Sequence, residues 1–242
     1  MGGFFHNLGR KVGAGVRKAN WVVSSLTGSE DEVLQAEHAV GRDMARGIAE
    51  QMFVDTTPDV QRYLDDIGDV LIRCVRDQRL RFCYRVLRAA EVNAFALPGG
   101  FIFVTRPLLE LCQWNQDEIA FVLGHEMGHV IQRHALDRLM ASSLLRSGLG
   151  RLPIGGLVGG TVLNVAMTLL QQGYSREQEL EADQIGVQLI HCGGFDSRAA
   201  ARLLMRLQEM PQETWLGSSY FASHPPVLSR IEHINRLLAE KH

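Results

Sequence analysis

The sequence predicts an α+β fold, a mostly helical domain with a small antiparallel sheet beside one central helix. Two observations lead to this prediction. Segments with helical periodicity stand at both ends of the chain and the segments typical of strands lie together between them, an order typical of α+β proteins. Apolar residues make up 46% of the 242 residues and charged residues 21%, a balance that supplies ample material for a core.

Two amphipathic helices are predicted before the strands. Residues 30–53 have helical composition, and their apolar side chains recur on one face. That face consists of Val33, Ala36, Val40, Met44 and Ile48. Pro58, a residue typical of the first turn of a helix, opens a second helix that extends to Arg76. Both helices are therefore expected to bury one side against the rest of the domain.

Three segments are predicted to be strands. Residues 81–87 are rich in aromatic and branched side chains, a composition typical of strands. Residues 92–96 and 101–105 flank the sequence Pro98-Gly99-Gly100, which is typical of a turn. These two segments are therefore predicted to pair as an antiparallel hairpin.

Four helices are predicted after the hairpin. They cover residues 116–139, 176–191, 197–208 and 227–240. Asn115 is a suitable N-cap for the first of them, with an acidic residue three positions later. Gly193 and Gly194 close the second, and Asp196 is the expected cap of the third.

The net charge and the cysteines narrow the functional class. With 25 basic and 27 acidic side chains, the net charge of −2 gives no global attraction to nucleic acid, and no nucleic-acid partner is expected. Cys74, Cys83, Cys112 and Cys192 are widely separated and form no C-x-x-C pair, so we expect reduced thiols in a reducing compartment. Residues 1–29 contain no apolar run typical of a secretory signal, which favours a cytoplasmic location.

Two segments raise the question of membrane contact. Residues 1–29 combine four basic side chains with an apolar face, which indicates either a basic helix on an anionic membrane surface or a segment that stays free or docks on its own domain. Residues 152–175 carry no charge, but their glycines and polar side chains favour a loop and a buried helix over a membrane span, with an interfacial element as the alternative. We therefore divide the chain into a basic segment, 1–29, and one domain, 30–242. Any membrane contact is expected to be peripheral, through 1–29 and 140–175, on the inner face of a membrane.

The central predicted helix contains an H-E-x-x-H pattern formed by His125, Glu126 and His129. Residues four apart on a helix differ by about 40° in azimuth and about 6 Å in rise, so both imidazoles can converge on one metal ion. Glu126 lies one position round the helix, where it is poorly placed to bind the same ion but can reach a water molecule on it. His134 lies on the opposite face of a continuous helix, which excludes it as a ligand.

A catalytic zinc site needs a third protein ligand and an open position for water. Glu177, Glu179 and Glu181 on the next helix compete for that role. Glu179 is favoured because Asp183 follows one helical turn later on the same face. Asp183 can then accept a hydrogen bond from the far nitrogen of a ligating histidine and fix its tautomer. Such acidic pairs are also common on solvated helix faces, so this assignment depends on the H-E-x-x-H pattern upstream.

Four short stretches carry a family resemblance. They are Asn93-Ala94-Phe95 with Pro98-Gly99-Gly100, then His125-Glu126-x-x-His129, then Ser175-Arg176-x-x-Glu179-x-x-Ala182-Asp183-x-x-Gly186, and finally Ser223-His224-Pro225-Pro226 with Arg230. In this order they resemble the gluzincin metallopeptidases, which include the HtpX heat-shock protease, the BepA and LoiP periplasmic proteases and the CaaX prenyl endopeptidases. The match is specific for the class and not for one member.

The resemblance implies a zincin-like domain with zinc-dependent endopeptidase activity. It implies one Zn²⁺ per chain, held by His125, His129 and Glu179, with Glu126 as the general base. The implied substrates are proteins or peptides, and we predict that they are extended or misfolded segments cleaved in protein quality control. The strand at 92–96 either binds such a substrate by adding it to the sheet or is an ordinary internal strand, and the sequence leaves both open.

The resemblance also implies roles for His224 and Arg230. His224, with Arg230 nearby, is expected to contact the substrate carbonyl in the transition state or, in a latent form, to cap the zinc. From the residues alone, the favoured interpretation of His224 is a loop histidine before a Pro-Pro turn.

Two alternatives come from other functional classes. One is a proteolytically latent chaperone that keeps zinc as a structural ion, and the other is a membrane-surface scaffold that acts through residues 1–29 and 140–175. The chain departs from the family in lacking the clear transmembrane helices of HtpX and the CaaX enzymes, and the signal peptide and helical repeats of BepA-like proteins. Membrane embedding and a C-terminal partner-binding module are therefore not expected.

Overall fold

The structure, a computed structural model, describes residues 28–141, 173–210, 224 and 227–240. The predicted basic segment, apart from its last two residues, lies outside the described residues, as does the uncharged segment 152–175 apart from its last three. The proposed membrane contacts of these two segments therefore remain predictions. Within the described part of the chain, every helix is too short or too polar to cross a membrane.

Two long helices open the described chain and confirm the predicted pattern. Helix α1 spans Glu30–Gln51, and helix α2 spans Pro58–Ile72. Ser29 caps α1 in a capping box with Glu32, which satisfies two backbone donors at the start of the helix. The apolar stripes predicted on both helices are largely buried. The second helix ends earlier than predicted.

A three-stranded sheet follows, with strands β1 (Cys83–Leu87), β2 (Ala94–Leu97) and β3 (Phe101–Thr105) in the order β1-β3-β2. The predicted hairpin is confirmed, because β2 and β3 pair antiparallel. Strand β1, however, runs parallel to β3, so the sheet is mixed rather than wholly antiparallel. The hairpin turns through one 3₁₀ turn, Pro98–Gly100, where Gly99 has a φ of +72° that favours glycine.

The core lies on both faces of this sheet. Alternate side chains of β2 and β3, such as Ala96 and Ile102, face a large cluster with α2 and the central helix, and their neighbours, such as Phe95 and Phe103, face α1. A short helix, α3 (Arg106–Leu111), follows the sheet. The α+β fold is confirmed, with the sheet held between layers of helix.

The central helix, α4, spans Gln116–Ile131 and is buried along most of its length. Asn115 caps it as predicted, accepting a hydrogen bond from the backbone N–H of Glu118. The prediction of one continuous helix to residue 139 is wrong. The chain breaks at Arg133, whose φ of +56° ends α4, and a separate helix, α5, covers His134–Ala141.

Three further helices complete the described chain: α6 (Arg176–Cys192), α7 (Ala199–Gln208) and α8 (Val227–Ala239). Helices α4 and α6 pack unusually close, because small residues line the contact. A Cβ added at Gly128 would lie 2.9 Å from the Cα of Ala182, and one added at Gly124 would lie 3.2 Å from the Cα of Gly186. This close approach brings the two helices that carry the predicted metal ligands together.

The cysteines depart from the expectation of four thiols. Cys74, just after α2, and Cys192, the last residue of α6, form a disulfide with a Cα–Cα distance of 5.9 Å. Cys83 and Cys112 are free thiols. The disulfide joins the end of α6 to the segment just after α2, a helix that also packs against α4.

Candidate metal centre

The histidines of the H-E-x-x-H pattern form the first part of the site. His125 and His129 lie one turn apart on α4, and both side chains are buried. Their Nε2 atoms are 3.1 Å apart, so both nitrogens point toward the same place. Helical spacing alone accounts for this convergence.

Glu179 of α6 completes a group of three. A capping box between Ser175 and Gln178 fixes the start of α6, and Glu179 follows in the first turn. Its carboxylate is fully buried, with Oε1 3.4 Å from His129 Nε2 and Oε2 3.7 Å from His125 Nε2. Of the three acids that competed for this role, the structure brings Glu179 to the histidines.

His224 is the fourth member. Its ring is buried, and Nδ1 lies 2.9 Å from Glu179 Oε1 and 3.4 Å from His125 Nε2. One nitrogen or oxygen from each of the four side chains lies within 4.8 Å of the others. His224 is therefore in the position of a fourth ligand rather than in a remote loop.

The donor set fits a divalent metal. Ligand atoms bound to zinc at about 2.0–2.2 Å lie roughly 3.3–3.6 Å apart in a tetrahedron. The separations given above between the nitrogens and carboxylate oxygens run from 2.9 to 3.7 Å. Three imidazoles and one carboxylate are the kind of ligands that zinc accepts.

The surroundings of Glu126 are an independent indication of a metal site. Its carboxylate is buried, and neither oxygen has a hydrogen-bond partner within the described residues. Its Oε1 lies 3.4 Å from His224 Nε2. A buried carboxyl group without hydrogen bonds is costly, so these two oxygens fit a site in which they gain a partner. A water molecule held between Glu126 and a bound metal ion would supply the missing bond.

The balance of buried charge also indicates a site for a divalent metal ion. Glu126, Glu179 and Asp183 are all buried, and the buried guanidinium of Arg230 contacts Glu179 and Asp183. With charged carboxylates and neutral imidazoles, the three acids and Arg230 together carry a charge of −2. A divalent cation would cancel this excess, which is otherwise expensive in a buried site.

Asp183 and Arg230 lie behind the ligands. Asp183 Oδ1 is 2.9 Å from His125 Nδ1, the contact expected from its place one turn after Glu179. Arg230 donates to both oxygens of Asp183, and its Nη1 lies 2.8 Å from Glu179 Oε2. The guanidinium is fully buried, and these contacts place Arg230 where it holds the two carboxylates; its predicted part in catalysis stays a prediction.

Burial and the neighbouring charges shift the pKa values of four side chains in the site. Burial is the largest influence on Glu179 and Asp183 and opposes their ionisation, but the Arg230 guanidinium and the neighbouring histidines together outweigh it and hold the pKa of both carboxyls below the usual range. Burial lowers the pKa of His129 far below its usual value, which keeps its lone pair available for a metal. Burial opposes the charged form of His224 as well, yet the carboxylates of Glu179 and Glu126 raise its pKa.

The sequence did not indicate two neighbours of His129, Tyr174 and His134, or the contact of Arg138 with Tyr174. The ring of Tyr174 stacks on His129 with 3.6 Å between centroids, and the guanidinium of Arg138 covers the other face of Tyr174 at 3.7 Å. His134 lies 2.8 Å from His129, Nδ1 to Nδ1. Sequence reasoning excluded His134 from the ligands by assuming a continuous helix. His134 is outside the group of four that could hold a metal ion, but the break at Arg133 brings it against His129.

Comparison with known proteins gives a family match. Residues 58–238 match Peptidase family M48. The mitochondrial metalloendopeptidase OMA1 of Schizosaccharomyces pombe is 31% identical over 165 residues, which covers 66% of this chain and 48% of the relative. A putative beta-barrel assembly-enhancing protease of Vibrio cholerae is 30% identical over 181 residues, covering 70% of this chain and 35% of the relative.

A bacterial relative with a shorter chain than these two has a similar level of identity. Metalloprotease YcaL of Escherichia coli is 30% identical over 169 residues, which covers 64% of this chain and 62% of the relative. In each of these three comparisons, the chain spans less than two thirds of the relative. The family match, residues 58–238, contains the residues of the metal centre.

Proposed function

This chain belongs to peptidase family M48, and from that premise we propose that it is a zinc-dependent metalloendopeptidase that hydrolyses peptide bonds in extended or misfolded protein segments. One observation carries the proposal: His125, His129 and Glu179 converge beside a buried Glu126 whose oxygens have no hydrogen-bond partner among the described residues. A structural metal site has no use for such a carboxylate. A hydrolytic site requires it.

His125, His129 and Glu179 would hold the zinc. A zinc ion bound there supplies a water molecule of lowered pKa and polarises the scissile carbonyl group. Glu126 takes the proton of the attacking water and then delivers it to the leaving amine nitrogen. Asp183 accepts a hydrogen bond from His125 Nδ1, which directs Nε2 toward the metal position.

Strand β2 is the proposed binding edge for substrate. The order β1-β3-β2 leaves one side of β2 without a partner strand in the described part of the chain. The carbonyl oxygen of Ala94 on this strand lies 3.4 Å from His224 Nε2, so the edge runs past the site. A small pocket beside His129 is lined in part by Ala96 and Leu97. An extended peptide added to this edge would present its backbone to Glu126.

The test compares the full chain with its Glu126→Gln variant. The parent protein should cleave a denatured protein or an unstructured peptide, lose activity with a chelator and regain it with zinc. Glu126→Gln should keep its metal, measured by elemental analysis, and lose roughly 10²–10⁴-fold in kcat. Glu177→Gln, at an exposed position of α6, is the matched control and should keep full activity. Equal turnover by parent and Glu126→Gln would remove the proposed base.

A second function, a proteolytically latent zinc protein, is favoured by the position of His224. With His224 as a fourth ligand, the site is closed, as in structural zinc sites. In the active form, His224 would instead donate a hydrogen bond to the developing oxyanion. The variant His224→Ala separates these roles: turnover rises if His224 caps the metal, and falls about 100-fold if it serves as oxyanion donor.

The cellular setting belongs to the same proposal. We propose a role in protein quality control, with protein substrates and no nucleic-acid partner. A cytoplasmic location with peripheral membrane contact through residues 1–29 and 140–175 remains a prediction, and co-sedimentation with anionic liposomes tests the membrane part. The Cys74–Cys192 disulfide weighs against a reducing compartment, because structural disulfides persist in oxidising ones.

A further inference from the structure

His134 connects a metal ligand to an acid on another helix. Its ring is buried, with Nδ1 2.8 Å from His129 Nδ1 and Nε2 3.1 Å from Glu181 Oε2. Glu181 lies two residues after Glu179 on α6, and its side chain is half exposed. The three side chains therefore form a chain of contacts from the site to the protein surface.

The direction of each hydrogen bond in this chain follows from the metal position. His129 Nε2 points to the position shared with His125 Nε2 and would have to offer its lone pair to a metal ion bound there, so Nδ1 carries the proton of the neutral ring. That N–H donates to His134, whose Nδ1 must then be an acceptor. The proton of His134 consequently sits on Nε2, where it donates to the carboxylate of Glu181. A single tautomer of each ring satisfies all the contacts.

The two histidines of the H-E-x-x-H pattern thus have different supports. His125 is held by the carboxylate of Asp183, and His129 by another imidazole that a carboxylate orients in turn. We propose that His134 and Glu181 are positioning residues that fix the tautomer and orientation of His129 and so raise the affinity for the metal. This inference rests on the metal site of the proposed function.

The fold places His134 there by a local departure from helical geometry. On a continuous helix, a residue five positions after His129 would point about 140° away from it. The positive φ of Arg133 turns the chain so that His134 faces back toward His129. The unfavourable conformation of a non-glycine residue is retained at the point where it brings the two rings together.

The experiment measures zinc affinity in the purified full chain by competition with a chromophoric chelator. In His134→Asn, Oδ1 occupies the place of Nδ1 and can accept the hydrogen bond of His129, whereas His134→Leu keeps the bulk and loses the acceptor. We expect His134→Leu to weaken zinc binding by about 10–100-fold, and His134→Asn to stay within a few-fold of the parent. Glu181→Ala should weaken binding several-fold, and Glu177→Ala, an exposed acid of the same helix, should have no effect.

Nitrogen-15 NMR of the imidazoles supplies a second readout. The Nδ1-protonated tautomer of His129 should dominate in the zinc-bound parent and in His134→Asn, and mixed tautomers should appear in metal-free His134→Leu. Equal zinc affinity of parent and His134→Leu would overturn the proposal, as would equal losses in the Asn and Leu variants, which would indicate packing alone. If His134→Leu fails to fold, the Glu181→Ala variant tests the proposal instead. A zinc affinity of Glu181→Ala equal to that of the parent would overturn the proposed role of the His134–Glu181 pair. A parent protein that binds zinc but cleaves nothing would overturn the proposed function and leave this inference standing.

Discussion

Arg230 donates two hydrogen bonds to Asp183, from Nε to Oδ2 at 2.8 Å and from Nη2 to Oδ1 at 2.7 Å. Both side chains are fully buried. The same guanidinium reaches Glu179 through Nη1. One cation on α8 therefore holds both Asp183, which contacts His125, and Glu179, the proposed metal ligand, so the geometry of the site depends on a helix far along the chain.

Replacing Arg230 with Met should destabilise the metal-free protein strongly. The change leaves two buried carboxylates without their cation, a defect that costs about 3–5 kcal/mol in the free energy of unfolding. Urea unfolding of the chelator-treated protein measures it. Zinc should offset part of the loss, because it supplies positive charge to the same carboxylates.

Arg236→Met is the matched control for that experiment, since Arg236 is an exposed residue of the same helix. Its free energy of unfolding should stay within about 0.5 kcal/mol of the parent. Arg230→Lys should fall between the two, because lysine keeps the charge and cannot form the paired hydrogen bonds. A stable metal-free Arg230→Met variant would contradict the assigned role.

Gly128→Ala tests the close approach of α4 and α6. The new Cβ would lie 2.9 Å from the Cα of Ala182, so the helices must separate. We expect a loss of about 1–3 kcal/mol in the free energy of unfolding, together with weaker zinc binding, because His129 and Glu179 sit on opposite sides of this contact. Helix propensity alone would give the opposite sign, a gain of about 1 kcal/mol for alanine. A stabilised variant would therefore contradict the packing argument.

The local part of the site was predictable because it depends on helical spacing alone. His125, Glu126 and His129 share one helix, and the spacing of Glu179 and Asp183 sets both on one face of another. The hairpin of β2 and β3 was predictable for a similar reason, since Pro98-Gly99-Gly100 marks the turn. Each of these predictions uses residues that are close in sequence.

The parts that were missed depend on contacts between distant residues. Arg133 has a positive φ although it is not a glycine, and the burial and hydrogen bonds of His134 offset the cost of that conformation. Because these contacts are tertiary, the residues around Arg133 contain no local signal of a helix break. The parallel pairing of β1 with β3 likewise depends on contacts between segments that are distant in sequence. The Cys74–Cys192 pair is separated by 118 residues, and spacing alone cannot identify a partner over that distance.

Reduction of the disulfide should lower the melting temperature. A cross-link over 118 residues restricts the unfolded chain, and its loss typically costs about 2–5 kcal/mol. We expect reductant to lower the Tm of the metal-free parent and to leave that of the double variant Cys74→Ala/Cys192→Ala unchanged. Thiol titration of the denatured parent should count two thiols, Cys83 and Cys112. Four titrated thiols in unreduced protein would show that the disulfide is absent.

Asp55 should make the protein sensitive to acid. Its carboxylate is fully buried and lies 3.0 Å from Arg88 and 2.8 Å from Arg106. Hydrogen bonds from Arg88 and Thr57, with a smaller contribution from Arg106, hold its pKa well below the usual range. Because the unfolded state, with a pKa of about 3.9, binds the proton more readily, the stabilisation is complete above about pH 4 and declines as the pH falls further.

The variant Asp55→Asn should consequently lose about 1–2 kcal/mol in the free energy of unfolding at pH 7, a modest loss because both arginines are partly exposed to solvent. Below pH 4 the difference between parent and variant should shrink, so the two stability curves converge. Urea unfolding between pH 3 and pH 7 measures both effects. Asp59→Asn is the control, because Asp59 and its partner Arg62 are largely exposed and their ion pair contributes little. A parent and an Asp55→Asn variant with parallel curves across this range would show that the buried ion pair does not set the acid sensitivity.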